Sequence, residues 1–180
     1  MHGIIFAEMK RYCETRFGSG LWDNILKESG IGWKIYLQKE EYPDEEATAI
    51  VSTVSKVTGK PVSGILEDFG EFIVPTLFSI FGALIRAEWK TLDLLEHTEK
   101  VIHTAVRVKD PIAKPPQLEC YRKSPEEIVI FYNSPRKMCA LAKGIIKGVA
   151  SYYNEKVFVS EPKCMLIGSP KCEIEVRLLK

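Results

Sequence analysis

Tyr132-Asn133-Ser134-Pro135-Arg136 follows directly on the apolar run Ile128-Val129-Ile130-Phe131. In an extended chain alternate side chains point the same way, so Tyr132, Ser134 and Arg136 are expected to aim two hydroxyls and a guanidinium at one spot. These groups donate hydrogen bonds and carry no negative charge, which suits a carboxylate or a phosphate. The guanidinium adds charge and a planar fork. Upstream, His103 lies in a helix-like segment with an apolar face. An imidazole over an apolar pocket, with an anion clamp at the rim, is the donor set a haem requires: iron held from one side and propionates held at the edge. A strand end with ordinary hydrogen bonds and a surface arginine is the other reading of the triplet.

Within Thr91 to Val108, the side chains of Leu92, Leu95, Ile102 and Val106 share a face, and His103 stands three positions before Val106. An imidazole there either donates to a backbone carbonyl in the core or coordinates a group inside it. His97 points away from Leu92 and Val106, among Glu96 and Thr98, and His2 stands at the chain start. Both are poorer candidates.

The elements that must position these groups fall into two kinds. Up to about Val108 the chain reads as helical, with amphipathic segments at Gly3 to Phe17, Trp22 to Glu28, Asp44 to Thr58, Val62 to Phe72, Pro75 to Trp89 and Thr91 to Val108. Breaks fall at Gly18-Ser19-Gly20, Gly30-Ile31-Gly32, Tyr42-Pro43-Asp44 and Gly59-Lys60-Pro61, and Asp44 reads as an N-cap. Pro111, Pro115 and Pro116 then force an extended link. Gln117 to Lys123 and Glu127 to Asn133 read as a hairpin, Arg136 to Tyr153 as a helix, and Lys156 to Ser160 with Cys172 to Leu179 as a second hairpin. On the helix, Met138, Leu141, Ile145, Val149 and Tyr152 fall on one stripe, beside the small residues Ala140, Ala142, Gly144, Gly148 and Ala150. The fold class is α+β, with an N-terminal helical lobe on a β-β-α-β-β unit of four strands.

A chain of 180 residues fits one domain with room for a core. The net charge of +1, with Lys, Arg, Asp and Glu mixed throughout, gives no basic stripe and argues against nucleic acid. The apolar run Ile4-Ile5-Phe6-Ala7 stops at Glu8, too short for a secretory leader, so a cytoplasmic protein is expected. Phe72 to Ile85, the longest apolar stretch, is too short to span a bilayer and reads as a buried helix, without membrane insertion. Five cysteines without dense spacing suggest reduced thiols or a metal site rather than a disulfide framework. No nucleophile–base pair, carboxylate pair or phosphate-binding loop of the G-x-x-x-x-G-K-S/T type stands out, so an enzyme is not expected.

Taken in order, His103, the link Pro115-Pro116-Gln117-Leu118, the hairpin, Tyr132-x-Ser134-x-Arg136 and the small-residue helix resemble the haem-nitric oxide/oxygen binding (H-NOX) family. This is the sensor domain of soluble guanylate cyclases and of stand-alone bacterial proteins. The resemblance begins at Met1-His2-Gly3-Ile4-Ile5-Phe6, passes through Gly18 to Trp22 and Phe69-Gly70-Glu71-Phe72, and runs to the chain end. It implies a single domain over 1–180, a helical distal lobe to about residue 62 and a proximal lobe from about 63, with haem b between them. By position it implies that His103 ligates the iron, that Tyr132, Ser134 and Arg136 clamp the propionates, and that Pro116 and Ile5 distort the porphyrin. Met9, Ile65, Leu141 and Ile145 complete the pocket.

Ferrous haem with one imidazole leaves one position open to a diatomic gas. Bound oxygen gathers negative charge and needs a hydrogen-bond donor; NO and CO need one far less. Oxygen-binding members of the family are known for a Tyr on the helix after the clamp, supported by Trp and Asn from the first lobe. The matching positions here are Leu141, Met9 and Ile65, all apolar. The resemblance therefore implies a sensor of NO and CO that does not hold oxygen stably. It also implies a switch in which NO breaks the Fe–His103 bond and the change is read by a separate histidine kinase or cyclic-di-GMP enzyme.

Cys139, Cys164 and Cys172 form a further group: a hairpin beside the helix would bring three thiols together, and zinc would need a fourth ligand. Some relatives without the distal Tyr carry such a site with a His at the position of Glu161, so the set the resemblance implies here is Cys139, Cys164, Cys172 and Glu161. Reduced thiols are the alternative. Two other functions stay open from the residues: a thiol or zinc redox sensor, and a module binding an apolar acid through the same clamp.

Overall fold

A computed structural model describes residues 1–180, the whole of the sequence. Four helices come first: α1 (Gly3–Phe17), α2 (Leu21–Glu28), α3 (Asp44–Thr58) and α4 (Val62–Phe81). A continuous helical stretch follows, made of α5 (Thr91–His97), a π-helical turn (Thr98–His103) and α6 (Thr104–Lys109). Then come β1 (Gln117–Ser124), β2 (Glu127–Asn133), α7 (Cys139–Tyr152), β3 (Lys156–Lys163) and β4 (Cys172–Leu179). The strands form one antiparallel sheet in the order β1-β2-β4-β3. The α+β class and the four-stranded antiparallel sheet are as expected.

By their internal contacts, residues divide into two compact units, Met1–Phe69 and Gly70–Lys180. In the first, Phe6 stacks on Tyr36 with centroids 4.3 Å apart, and Ile25, Leu26, Ile50 and Val54 are buried around it. Gly59, with φ +70, closes α3 in the left-handed conformation that glycine adopts without strain. In the second unit, Leu92, Leu95, Ile128, Ile130, Ile146, Ile174 and Val176 form the main core. Val74, Trp89, Leu94 and Val149 form a smaller one, and Phe78 and Ile145 pack against it.

Several boundaries differ from expectation, each for a local reason. Helix α4 runs through Pro75 instead of breaking before it. An interior proline costs about 3 kcal/mol or more, and burial of the two residues before it, Ile73 and Val74, offsets that loss. The stretch Phe72 to Ile85 is not buried throughout: Ile80 is 44% and Leu84 38% exposed, because only one face of the helix is covered. Asp44 is the first helical residue and Pro43 the cap; the Asp44 carboxylate pairs instead with the Met1 ammonium at 3.0 Å. Helix α7 starts at Cys139, not Arg136, because Pro135 and Arg136 turn and Lys137 takes φ +50. The stripe expected on α7 is uneven, with Met138 and Val149 buried and Tyr152 57% exposed. Strand β3 extends to Lys163, past an irregularity between Ser160 and Lys163 that accommodates Pro162 on an edge strand.

Glycines let α4 and α7 approach closely. A Cβ on Gly70 would stand 2.5 Å from the Leu141 carbonyl oxygen and 2.8 Å from both the Gly144 Cα and the Ile145 nitrogen. All three are backbone atoms, so the helices would have to separate. We expect Gly70→Ala to lower unfolding stability by about 1–3 kcal/mol, the usual range for overpacking, as read from denaturant titration; an unchanged midpoint would contradict this packing.

Candidate functional site

His103 is the last residue of the π-helical turn, and its side chain is 13% exposed. π-turns inside α-helices concentrate at functional sites. The turn holds Thr98 to His103, with the Thr104 amide bonding back to the Glu99 carbonyl. Nδ1 of His103 lies 2.8 Å from Oε2 of Glu99. Glu99 also accepts from Arg107 at 2.7 Å and from the Leu118 amide at 3.1 Å.

Burial raises the Glu99 pKa, but hydrogen bonds from His103 and Arg107 outweigh it and hold the carboxyl below its ordinary range. Burial likewise lowers the His103 pKa, against the pull of Glu99. The imidazole is therefore neutral and faces an ionised carboxylate. A carboxylate only accepts, so the ring proton sits on Nδ1 and Nε2 keeps its lone pair. That is the tautomer a metal ligand needs.

The backbone of Pro116 also interacts with the His103 ring. Two residues before it, the Lys114 carbonyl accepts from Nη1 of Arg136 at 2.5 Å. The segment Lys114 to Leu118 is thus tied at one end to the anion triplet and at the other to Glu99.

The triplet itself is built differently from the simple alternation of a strand. Strand β2 ends at Asn133, and the Ser134 hydroxyl accepts from the Arg136 amide at 3.3 Å across a turn. Tyr132 and Ser134 are both buried, at 3% and 2% exposure. Burial pushes the Tyr132 phenol up, while contacts to the Ser134 side chain and the Met138 backbone pull it down. The Tyr132 and Ser134 side chains meet, and a proline-containing turn brings the Arg136 backbone amide to Ser134 while its guanidinium bonds the Lys114 carbonyl.

Ile5, Met9 and Ile65 belong to the first unit, where Met9 and Ile65 line a small apolar cavity with Tyr12, Cys13, Ile50, Val51, Val54 and Phe69. Tyr12 was not expected there. Its hydroxyl donates to Asp68 at 3.0 Å, and burial together with that bond pushes its pKa well up. Leu141 and Ile145 lie on α7 in the second unit, half-buried, with Ile145 against the smaller core. His97 stacks on Trp89 at 4.6 Å and bonds the Asp93 carbonyl, and His2 caps α1. Neither is placed for ligation.

The cysteines form a second group. The Cys139 and Cys164 sulfurs are 3.6 Å apart, and those of Cys164 and Cys172 are 3.8 Å apart. With one carboxylate oxygen of Glu161, the four ligand atoms lie within 4.8 Å of one another. Oε2 of Glu161 pairs with Lys143 at 3.0 Å, whereas the buried Oε1 has no hydrogen-bond partner. Burial pushes the Cys172 thiol up to about 11 and the Cys139 thiol higher still. Cys13 and Cys120 stand outside this group. Sequence reasoning named the sulfur set but missed Glu99, although its place four residues before His103 was a usable signal.

The architecture is the H-NOX fold. It matches an H-NOX protein from S. oneidensis in the Fe(II)NO ligation state with a TM-score of 0.93, at 24% identity over 100% of both chains. It matches an Fe(II) unliganded H-NOX protein from K. algicida with a TM-score of 0.90, at 21% identity, covering 100% of this chain and 97% of that one. The chain belongs to the haem-NO-binding family, whose model matches residues 2–161, and so to a family of haem-based gas sensors. Soluble guanylate cyclase 89Da of Drosophila melanogaster is 24% identical over 139 residues, 76% of this chain and 20% of that protein. Soluble guanylate cyclase gcy-35 of Caenorhabditis elegans is 25% identical over 162 residues, 83% of this chain and 22% of that one. The chain thus spans about a fifth of the length of these relatives, 20–22%. No helix is long and apolar enough to cross a membrane.

Proposed function

We propose that the chain senses NO and CO through haem b, does not hold oxygen stably, and passes the signal to a separate protein. The observation that carries this reading is the Glu99 carboxylate on Nδ1 of His103, which puts the ring proton there and a lone pair on Nε2. The residues fit the cofactor: a neutral imidazole suits ferrous iron, and two buried hydroxyls with a guanidinium two residues on in the same turn suit propionates. His103 would hold the iron, Tyr132, Ser134 and Arg136 the propionates, and Pro116 and Ile5 would bear on the porphyrin. When bound, haem would supply a ferrous iron able to take a diatomic gas.

This chain's residues then do the rest. His103 ends the π-helical turn, so loss of whatever its Nε2 holds would be felt by that turn, while Glu99 would keep its hold on Nδ1. Apolar Met9, Ile65, Leu141 and Ile145 offer no donor to bound oxygen. The phenol beside two of them, Tyr12, is engaged by Asp68. A histidine kinase or a cyclic-di-GMP enzyme in the cytoplasm is the proposed recipient. We expect His103→Gly to lose normal haem ligation and to regain it with added imidazole, measured by the absorption spectrum. A His103→Gly spectrum identical to that of the parent protein would refute the assignment.

A second reading concerns the thiols, and it can coexist with the first. We propose a structural zinc held by Cys139, Cys164, Cys172 and Glu161, supported by the convergence of four ligand atoms and the contacts of the Glu161 carboxylate with all three sulfurs. The alternative use of the same thiols is redox sensing. Metal analysis of protein purified without added zinc should find stoichiometric zinc that Cys164→Ser removes. Metal-free protein with titratable thiols at these positions would favour the redox alternative.

A further inference from the structure

We propose that Glu99 is a positioning residue that sets the strength of the iron–His103 bond, with Arg107 as its counterweight; this rests on the His103 reading above. A ligating histidine whose outer nitrogen donates to a carboxylate becomes a more basic, more strongly bonding ligand. Glu99 is built for that task. Its Oε2 is shared between Nδ1 of His103 at 2.8 Å and the Leu118 amide at 3.1 Å. The amide is backbone and cannot swing aside, so it fixes where the oxygen sits. The other oxygen, Oε1, is held by Arg107 at 2.7 Å.

These partners pull in opposite senses. The carboxylate charge increases the negative character of the imidazole, and the guanidinium draws that charge away. Removing the charge on Glu99 should weaken the iron–histidine bond, and removing Arg107 should strengthen it. A contact that only packed the helix would not produce shifts of opposite sign. For sensing, the balance sets how readily NO displaces His103: more readily without the Glu99 charge, less readily without Arg107.

The test is the iron–histidine stretching band of the ferrous haem protein, by resonance Raman, in the parent, Glu99→Gln and Arg107→Met. The expected result is a band at lower frequency in Glu99→Gln and at higher frequency in Arg107→Met. Frequencies unchanged in both, or moved in the same direction, would overturn the proposal. Arg107 is 38% exposed, so its replacement leaves the fold intact, and it decides the matter alone if Glu99→Gln does not retain haem. Absence of the band in the parent protein would instead overturn the His103 reading, an outcome distinct from a band that is present and unmoved.

Discussion

One ionised carboxylate organises the second unit of this protein around His103. Glu99 takes hydrogen bonds from the imidazole and the guanidinium of its own helical stretch and from the backbone amide of Leu118, at the start of the sheet. A partly buried acid survives in ionised form only when such donors replace water. Replacing it with an apolar residue would leave the Leu118 amide and the His103 Nδ1 proton without acceptors, a loss of about 1–3 kcal/mol for each. The same bonds settle the tautomer of His103, so the requirement of the fold and that of the ligand coincide in one side chain.

From that centre the geometry spreads along Lys114 to Leu118. The extended link, enforced by Pro115 and Pro116, reaches Glu99 at Leu118 and the anion triplet at Lys114. A change at the imidazole therefore has a short route, through the Glu99 hydrogen bonds and four peptide links, to the groups proposed to hold the propionates. The π-helical turn that ends at His103 is a further irregularity of the kind found at functional sites. The tight glycine packing of α4 on α7 argues that these helices respond together rather than by loosening.

Much of this was legible in the sequence, for identifiable reasons. Strand β2 announced itself through Ile128 to Phe131, and β4 through its alternating Ile174 and Val176. His103 and the Tyr132, Ser134, Arg136 triplet were readable because their chemistry is unusual for their surroundings. What was not legible depends on tertiary contacts. Pro75 looks like a helix end, and only the cores around Val74 carry the helix past it. The route by which Arg136 meets Ser134 needed the turn at Pro135, which alternation misrepresents. The contribution of Glu99 lay hidden because an acid on a helix ordinarily faces water, and only the return of Leu118 makes it an interior acceptor.

The account stands on a haem held by one histidine in a pocket without a donor for oxygen. The most direct measurement is the absorption spectrum of the ferrous protein, first in air and then with NO. The account predicts no stable oxygen complex, followed by an NO spectrum that shows the loss of the His103 ligand. A persistent oxygen complex, or an NO spectrum that retains the histidine, would contradict it.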